Sequence, residues 1–368
     1  MPEPVWFADI AGLSESDFLK KFDRLISAVD VGARIKKRAL VAVKVHFGEK
    51  GNTAYVRPSL VRPVVDAVKT AGGVPFVTDC NTLYVGTRGH SAHHLMTAHD
   101  HGFTADAIGA PLIIADGLRG DDAVAVPIRG EIFDHAHIGA DIVKADALIC
   151  VSHFKGHELS GFGGTLKNLG MGCAGREGKL AQHSSVSPRV RAKTCTGCGD
   201  CTLTCPADAM SVDETASINP ETCIGCGQCI LTCPTGSIQI VWNESTESFQ
   251  KKMAEYCLGA LAGKQKTSLF FNVITNVTPQ CDCYGFSNPF IVPDIGITAG
   301  TDPVAVDQAS VDLVNKAPGV EGTALKENHK PGDDKFRGVY PQIDWSVQLA
   351  HAEKLVLGSR AYTLKEIQ

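Results

Sequence analysis

Residues 193–210 read KTCTGCGDCTLTCPADAM, and residues 222–238 read TCIGCGQCILTCPTGSI. In the first run Cys195, Cys198 and Cys201 follow a C-x2-C-x2-C spacing, Cys205 comes after three further residues, and Pro206 follows at once. The second run repeats this with Cys223, Cys226, Cys229, Cys233 and Pro234. It is the spacing of bacterial two-cluster ferredoxins, in which three thiolates of one run hold a [4Fe–4S] cube and the fourth reaches across to the other. That rule groups Cys195, Cys198, Cys201 and Cys233 on one cluster, and Cys223, Cys226, Cys229 and Cys205 on the other. Wrapping three thiolates around a cube needs a tightly turning backbone, which Gly197, Gly199, Gly225 and Gly227 allow. Each proline stops its loop from continuing as helix over the site. Zinc knots pair two CxxC units across a longer gap, so two cubes are expected rather than zinc.

Working outward, the pattern occupies about residues 190–242 and sits inside a longer chain. The 368 residues, 44% hydrophobic and 20% charged, suit a folded protein that needs no staples. A formal charge of −5 gives no broad basic face for nucleic acid or anionic lipid. The N-terminal stretch lacks the basic and apolar regions of a secretory signal, and no uncharged apolar run is long enough to span a bilayer. A cytoplasmic setting is expected, and there the fourteen cysteines should be ligands or free thiols rather than disulfides.

On either side of the insert the chain alternates strand and helix. RALVAVKVHF (38–47), VPFVTD (74–79), PLIIADG (111–117), DALICVSHF (146–154) and KTSLFFNVIT (266–275) read as strands. RPSLVRPVVDAVKTAGG (57–73), SAHHLMTAHDHG (91–102), GEIFDHAHIGADIVKA (130–145), FQKKMAEYCLGALAG (249–263) and DPVAVDQASVDLVNK (302–316) read as helices. The expected fold class is α/β, a mostly parallel sheet with flanking helices, carrying an inserted α+β ferredoxin domain of the bacterial dicluster type. Its units are 1–189, 190–242 and 243–368.

In such sheets chemistry gathers at the carboxyl ends of strands. Those ends deliver Lys44, His46 and Glu49, then Asp79, Cys80 and Asn81, then His153, Lys155 and His157, with Lys167 and Asn168 following. His153, Lys155 and His157 alternate, so an extended backbone puts them on one side; two histidines around a lysine can bind and protonate an anion. Cys281 and Cys283 in CDC also share a side, which suits a shared soft metal or an exchangeable thiol pair. The glycines at 161, 163 and 164 resemble an anion nest without P-loop spacing. His90, His93 and His94 lack an HExxH partner and read mainly as a polar helix surface. Asp302 before Pro303 reads as a helix cap, and Asp307 as a candidate to face the site.

These segments, with KVHFGE, HFKGH, GGTLKNLGMG and VPDIGITAGTDPVAVDQASVDLV, resemble the DUF362 family of iron–sulfur centre proteins, in the subgroup with an internal two-cluster ferredoxin domain. The resemblance covers nearly the whole chain and carries no catalytic assignments. It implies glycine in KLVLGSR where this chain has Val356.

The expected function is an oxidoreductase that relays low-potential electrons through two [4Fe–4S] clusters to a pocket in the α/β body. Lys44, His46, Asp79, His153, Lys155, His157, Lys167, Cys281 and Cys283 would line that pocket around a small anionic substrate, with a possible additional metal at Cys281 and Cys283. The expected partner is a redox protein, a ferredoxin, flavodoxin or reductase, with Arg189, Arg191 and Lys193 as docking charges. Two rivals belong to other classes: an electron carrier or assembly partner without its own substrate, and a non-redox metal-dependent isomerase built on the Cys-x-Cys pair.

Overall fold

The computed structural model describes residues 2–368. Eight strands make one sheet: β1 (Glu3–Asp9), β2 (Leu40–Lys44), β3 (Val74–Asp79), β4 (Leu112–Ile114), β5 (Ala147–His153), β6 (Ser268–Ile274), β7 (Gly296–Gly300) and β8 (Tyr362–Glu366). Their order is β8-β1-β7-β6-β5-β2-β3-β4. Strand β7 runs antiparallel to both neighbours, and the other pairings are parallel. The central strands are buried on both faces, which is why they read as unbroken apolar runs. Successive side chains part company: Val41, Val43, Ile149 and Val151 enter one apolar layer, while Ala42, Leu148 and Cys150 enter the other.

Helices α1 (Glu15–Ala28) and α2 (Pro58–Thr70) cover the first layer. Helix α3 (Ser91–Asp100) follows β3. The second layer is covered by α4 (Thr165–Gly170), α6 (Thr246–Leu261) and α7 (Pro303–Lys316), with α5 (Arg176–His183) leading to the insert. Asp302 caps α7 by accepting the N–H groups of Val304 and Ala305, as its place before proline predicts. From β2 the chain steps outward to β3 and β4, then β5 returns to the other side of β2. This reversal opens a crevice at the carboxyl ends of β2 and β5.

One stretch departs from expectation. GEIFDHAHIGADIVKA is mostly not helical: His135–Gly139 pairs antiparallel with Ala123–Pro127, and only Ala140–Lys144 is helix. The hairpin is held by a carboxylate remote in sequence. Glu255 on α6 accepts the N–H groups of Glu131, Ile132 and Phe133 at 2.8–3.0 Å.

The cysteine-rich insert is closed at its neck by Arg189–Val190 pairing with Ile238–Gln239, while Asn243 accepts the Ser185 N–H at 3.1 Å. Within it, two short helices, Asp200–Leu203 and Gln228–Thr232, each begin after a glycine with φ of +84° or +67°. No helix among the described residues is long and apolar enough to cross a membrane.

Candidate active site

The crevice at the strand reversal is a cavity of about 830 Å³. Of the residues expected there, His46, Asp79, His153, Lys155, His157, Lys167 and Cys283 line it; Lys44 and Cys281 stand behind its wall. Lys44, fully buried, pairs with Asp79 at 2.8 Å and donates to Asn168 Oδ1 at 2.7 Å. Burial pushes the Asp79 carboxyl up, but Lys44, His94 and His46 together outweigh it and hold that group well below its usual range. Arg88 also contacts Asp79, at 3.4 Å, and Glu49 at 3.2 Å. This is a charge-balanced foundation rather than reacting groups.

The three alternating residues divide their work. His153 presents Nδ1 to Asp282 at 2.9 Å and Nε2 to the Thr275 carbonyl at 2.9 Å, so both ring nitrogens donate to acceptors and none is left for a substrate. Lys155 completes the pair with Asp282 at 3.5 Å. Burial raises the Asp282 carboxyl, and His153 and Lys155 overcome this to hold it far below its usual range. His157 instead accepts the N–H groups of Leu159 and Ser160 on Nδ1. His46 likewise accepts the Gly48 N–H on Nδ1, at 3.0 Å. A neutral imidazole anchored this way carries its proton on Nε2. Burial holds both rings well below the ordinary histidine value, aided by Arg88 at His46 and by Lys167 and Lys155 at His157. Held neutral in this way, the two rings present their Nε2–H groups as hydrogen-bond donors.

Lys167 lies beside them at the cavity wall. Burial, then the neighbouring Lys155 charge, lowers its ammonium to about 7, and its Nζ lies 3.4 Å from Cys281 Sγ. Helix α4, which carries Lys167, is anchored by Asp307, whose carboxylate accepts the Thr165 and Leu166 N–H groups at 2.7 and 2.9 Å. Asp307 therefore does not face the cavity, and it fills the place where the glycines at 161–164 resembled an anion nest. A Cβ at Gly164 would lie 2.4 Å from this carboxylate.

Cys281 and Cys283 are joined to each other as a disulfide. The thiol pair expected here is thus in its oxidised form, where free thiols or ligands were expected of the cysteines in general. Among the described residues no three His, Cys, Asp or Glu side chains converge where a single ion could be held. The histidine-rich helix is likewise not a metal site. His90 caps α3, and His94 is fully buried 3.6 Å from Asp79, with burial lowering it to about 4.

Two smaller clefts lie in the insert. One is lined by Cys195, Cys198, Cys201 and Cys233, the other by Cys205, Cys223, Cys226 and Cys229. Gly197, Gly199, Gly225 and Gly227 all have φ between +66° and +84°. Backbone N–H groups of Ala216, Ala209 and Ser237 donate to Cys195, Cys205 and Cys233 Sγ at 3.2–3.3 Å. The second cleft abuts the host: an added Cβ at Gly227 would lie 3.1 Å from both Leu83 and the Arg176 stem, and Leu83 also lines the large cavity.

A family model described as a domain of unknown function, DUF362, matches residues 41–312. The chain belongs to the DUF362 family. This DUF362 chain is similar in structure to the lactate racemase apoprotein from Thermoanaerobacterium thermosaccharolyticum, with 12% identity and a TM-score of 0.41 over 86% of this chain and 58% of that one. It is also similar to a protein from Thermotoga maritima, with 9% identity and a TM-score of 0.34 over 72% and 51%. It thus spans less than two thirds of the length of either. No curated protein matches its sequence.

In this DUF362 chain the cavity also contains residues that sequence reasoning missed. Arg88 and Tyr84, bonded at 2.7 Å, come from the loop after β3. His183 comes from the end of α5 and Trp242 from the exit of the insert; their rings meet edge to face at 4.8 Å. Nothing in local spacing marks these residues: Arg88 and Tyr84 are placed by the loop after β3, and the insert brings His183 and Trp242 together from either side of its neck.

Proposed function

We propose that this DUF362 chain is an iron–sulfur oxidoreductase in which two [4Fe–4S] clusters serve a cavity that binds an anionic substrate. The observation that carries the reading is the lining of the two insert clefts, each by three cysteines of one run and the last of the other. The residues fit such a group. A cube takes each thiolate on a different iron, so the four sulfurs need not converge on one point as a zinc site requires. Burial and then the neighbouring thiols push Cys229 up to about 12, a crowding that a cationic metal core relieves. Arg176, buried at the host side of the second cleft, leaves Nη1 without an acceptor among the described residues. When bound, the clusters supply single low-potential electrons.

The chain's own residues account for the rest of the chemistry. Asp79 and Glu49 balance Lys44 and Arg88, and Asp282 pairs with Lys155 and His153. Lys167 and Lys179 both line the cavity with no carboxylate within salt-bridge distance among the described residues; Lys179 Nζ is held by the Ala174 carbonyl, which leaves Lys167 as the cation available to an anionic group. The Nε2–H groups of His46 and His157 are further donors at the cavity wall. Leu83, Val85, Leu159, Met171 and Trp242 give the cavity apolar walls, so the substrate is read as an anionic head on an apolar body. Leu83 lines the cavity and packs against the cysteine loop, and so forms a packed connection between the two.

The test is anaerobic purification followed by iron, sulfide and zinc analysis and EPR. About eight irons per chain and two reducible centres are expected. Stoichiometric zinc at these thiols would overturn the reading.

A further inference from the structure

The disulfide has unequal surroundings. Cys283 is half-buried and lines the cavity, whereas Cys281 is buried behind it. The hidden sulfur has two donors: Lys167 Nζ at 3.4 Å and the Cys283 N–H at 3.4 Å. In thiol–disulfide exchange the rate depends on which sulfur can be reached and on how well the other leaves as thiolate. Here the reachable sulfur faces the cavity, and the departing one rests against an ammonium group and an amide. The loop is fixed on both sides: the Asp282 carbonyl accepts the Glu49 N–H at 2.9 Å, and the Cys283 carbonyl accepts the Tyr84 hydroxyl at 3.1 Å.

We propose that Cys281 and Cys283 form a redox-active disulfide/dithiol couple whose substrate is a small anionic thiol entering through the cavity. The thiolate attacks Cys283 Sγ; the bond to Cys281 breaks and Cys281 leaves as thiolate beside Lys167. A second substrate thiolate attacks the substrate sulfur of the mixed disulfide and releases Cys283. Two substrate thiols become one substrate disulfide, and the two electrons and two protons pass to Cys281 and Cys283. Run backwards, the same couple reduces a small disulfide, so no further oxidant or reductant is needed for exchange. The choice of an anionic thiol rests on the proposed anion-binding cavity; the couple itself does not depend on the clusters.

The experiment compares two thiols of similar size and opposite charge, 3-mercaptopropionate and cysteamine, on the full-length, cluster-loaded, air-oxidised chain. Acid quenching, alkylation and peptide-resolved mass spectrometry follow the 281–283 peptide, with unlabelled Cys80 and Cys257 confirming that the fold stays closed. After correction for thiolate fraction, mercaptopropionate should open the bond about tenfold faster or more, the gain expected of a charged cleft. The trapped mixed disulfide should sit on Cys283. Lys167→Gln should remove most of the difference, and Lys167→Arg should retain it. Equal rates for the two thiols would overturn the anionic-thiol assignment and the anion-site reading together. A mixed disulfide on Cys281, or a bond that opens only when Cys80 and Cys257 become labelled, would overturn the couple and leave the anion-site reading standing. Exchange should survive removal of the iron by a chelator; its loss with the iron would overturn the couple's independence of the clusters.

Discussion

Lys167 shows how burial assigns a role that residue type alone does not. An ordinary lysine titrates near 10.4, whereas burial and Lys155 bring Lys167 to about 7. Between pH 7 and 10 the unfolded chain therefore holds a proton that the folded chain has released, so this residue makes stability rise with pH across that window. Lys167→Met should remove that slope from urea unfolding measured at several pH values. Acetylation of Lys167 by acetic anhydride should show a midpoint near 7, and a midpoint near 10 would contradict the assignment. A second position bears on strain. Val356, where family resemblance implies glycine, has φ of +59° and is almost fully exposed. A β-branched residue is costly in this region, and glycine there gives back part of the gain as chain entropy, so Val356→Gly should stabilise the fold by about 1 kcal/mol. Thermal unfolding checks it: an unchanged or lower Tm would mean that the turn is not strained.

The helices and strands legible from sequence are those whose periodicity belongs to the segment itself. Strands β2, β3, β5 and β6 lie buried between two helical layers and so read as apolar runs; α2 and α7 carry their own stripe and, in α7, their own cap. The hairpin at 123–139 was not legible because its stability is not local. The loop N–H groups that a helix would have satisfied internally are instead satisfied by Glu255, more than a hundred residues away. Strands β1, β7 and β8 also went unread. They lie together at one side of the sheet, outside the strand–helix alternation, and β7 enters it against the parallel pattern that this alternation predicts. Glu255→Ala should remove three charge-assisted bonds to the hairpin and cost about 2–4 kcal/mol, since one such bond contributes about 1.5–3 kcal/mol and the three are not independent. Glu255→Gln should cost less, because an amide oxygen can accept some of those bonds. Chemical denaturation of both variants checks it, and equal losses would mean that charge is not what holds the loop.

The placement of the insert joins the two halves of the proposed function. The cysteine spacing made the grouping of the eight thiols legible, but not which group faces the host, because that depends on the neck and on Leu83, Leu180 and Arg176 packing beneath the second cleft. The polar residues at the ends of β2, β3 and β5 were legible from topology alone, while Arg88 and Tyr84 required the folded loop after β3, and His183 and Trp242 the folded neck. On this reading Cys205 is a ligand of the host-facing cube although it lies in the first run. Arg176 would lie beside that same cube, its guanidinium close enough to Cys226 to feel its charge. Cys205→Ser and Arg176→Gln should therefore alter one and the same centre in an EPR-monitored reductive titration, while Cys233→Ser alters the other. Removing the guanidinium withdraws positive charge from the host-facing cube and should make it harder to reduce, leaving the remote one in place. If Cys205→Ser instead changed the centre perturbed by Cys198→Ser, each run would hold its own cube, the cross-lining of the clefts would have no functional meaning, and Leu83 would no longer join the cavity to an electron source.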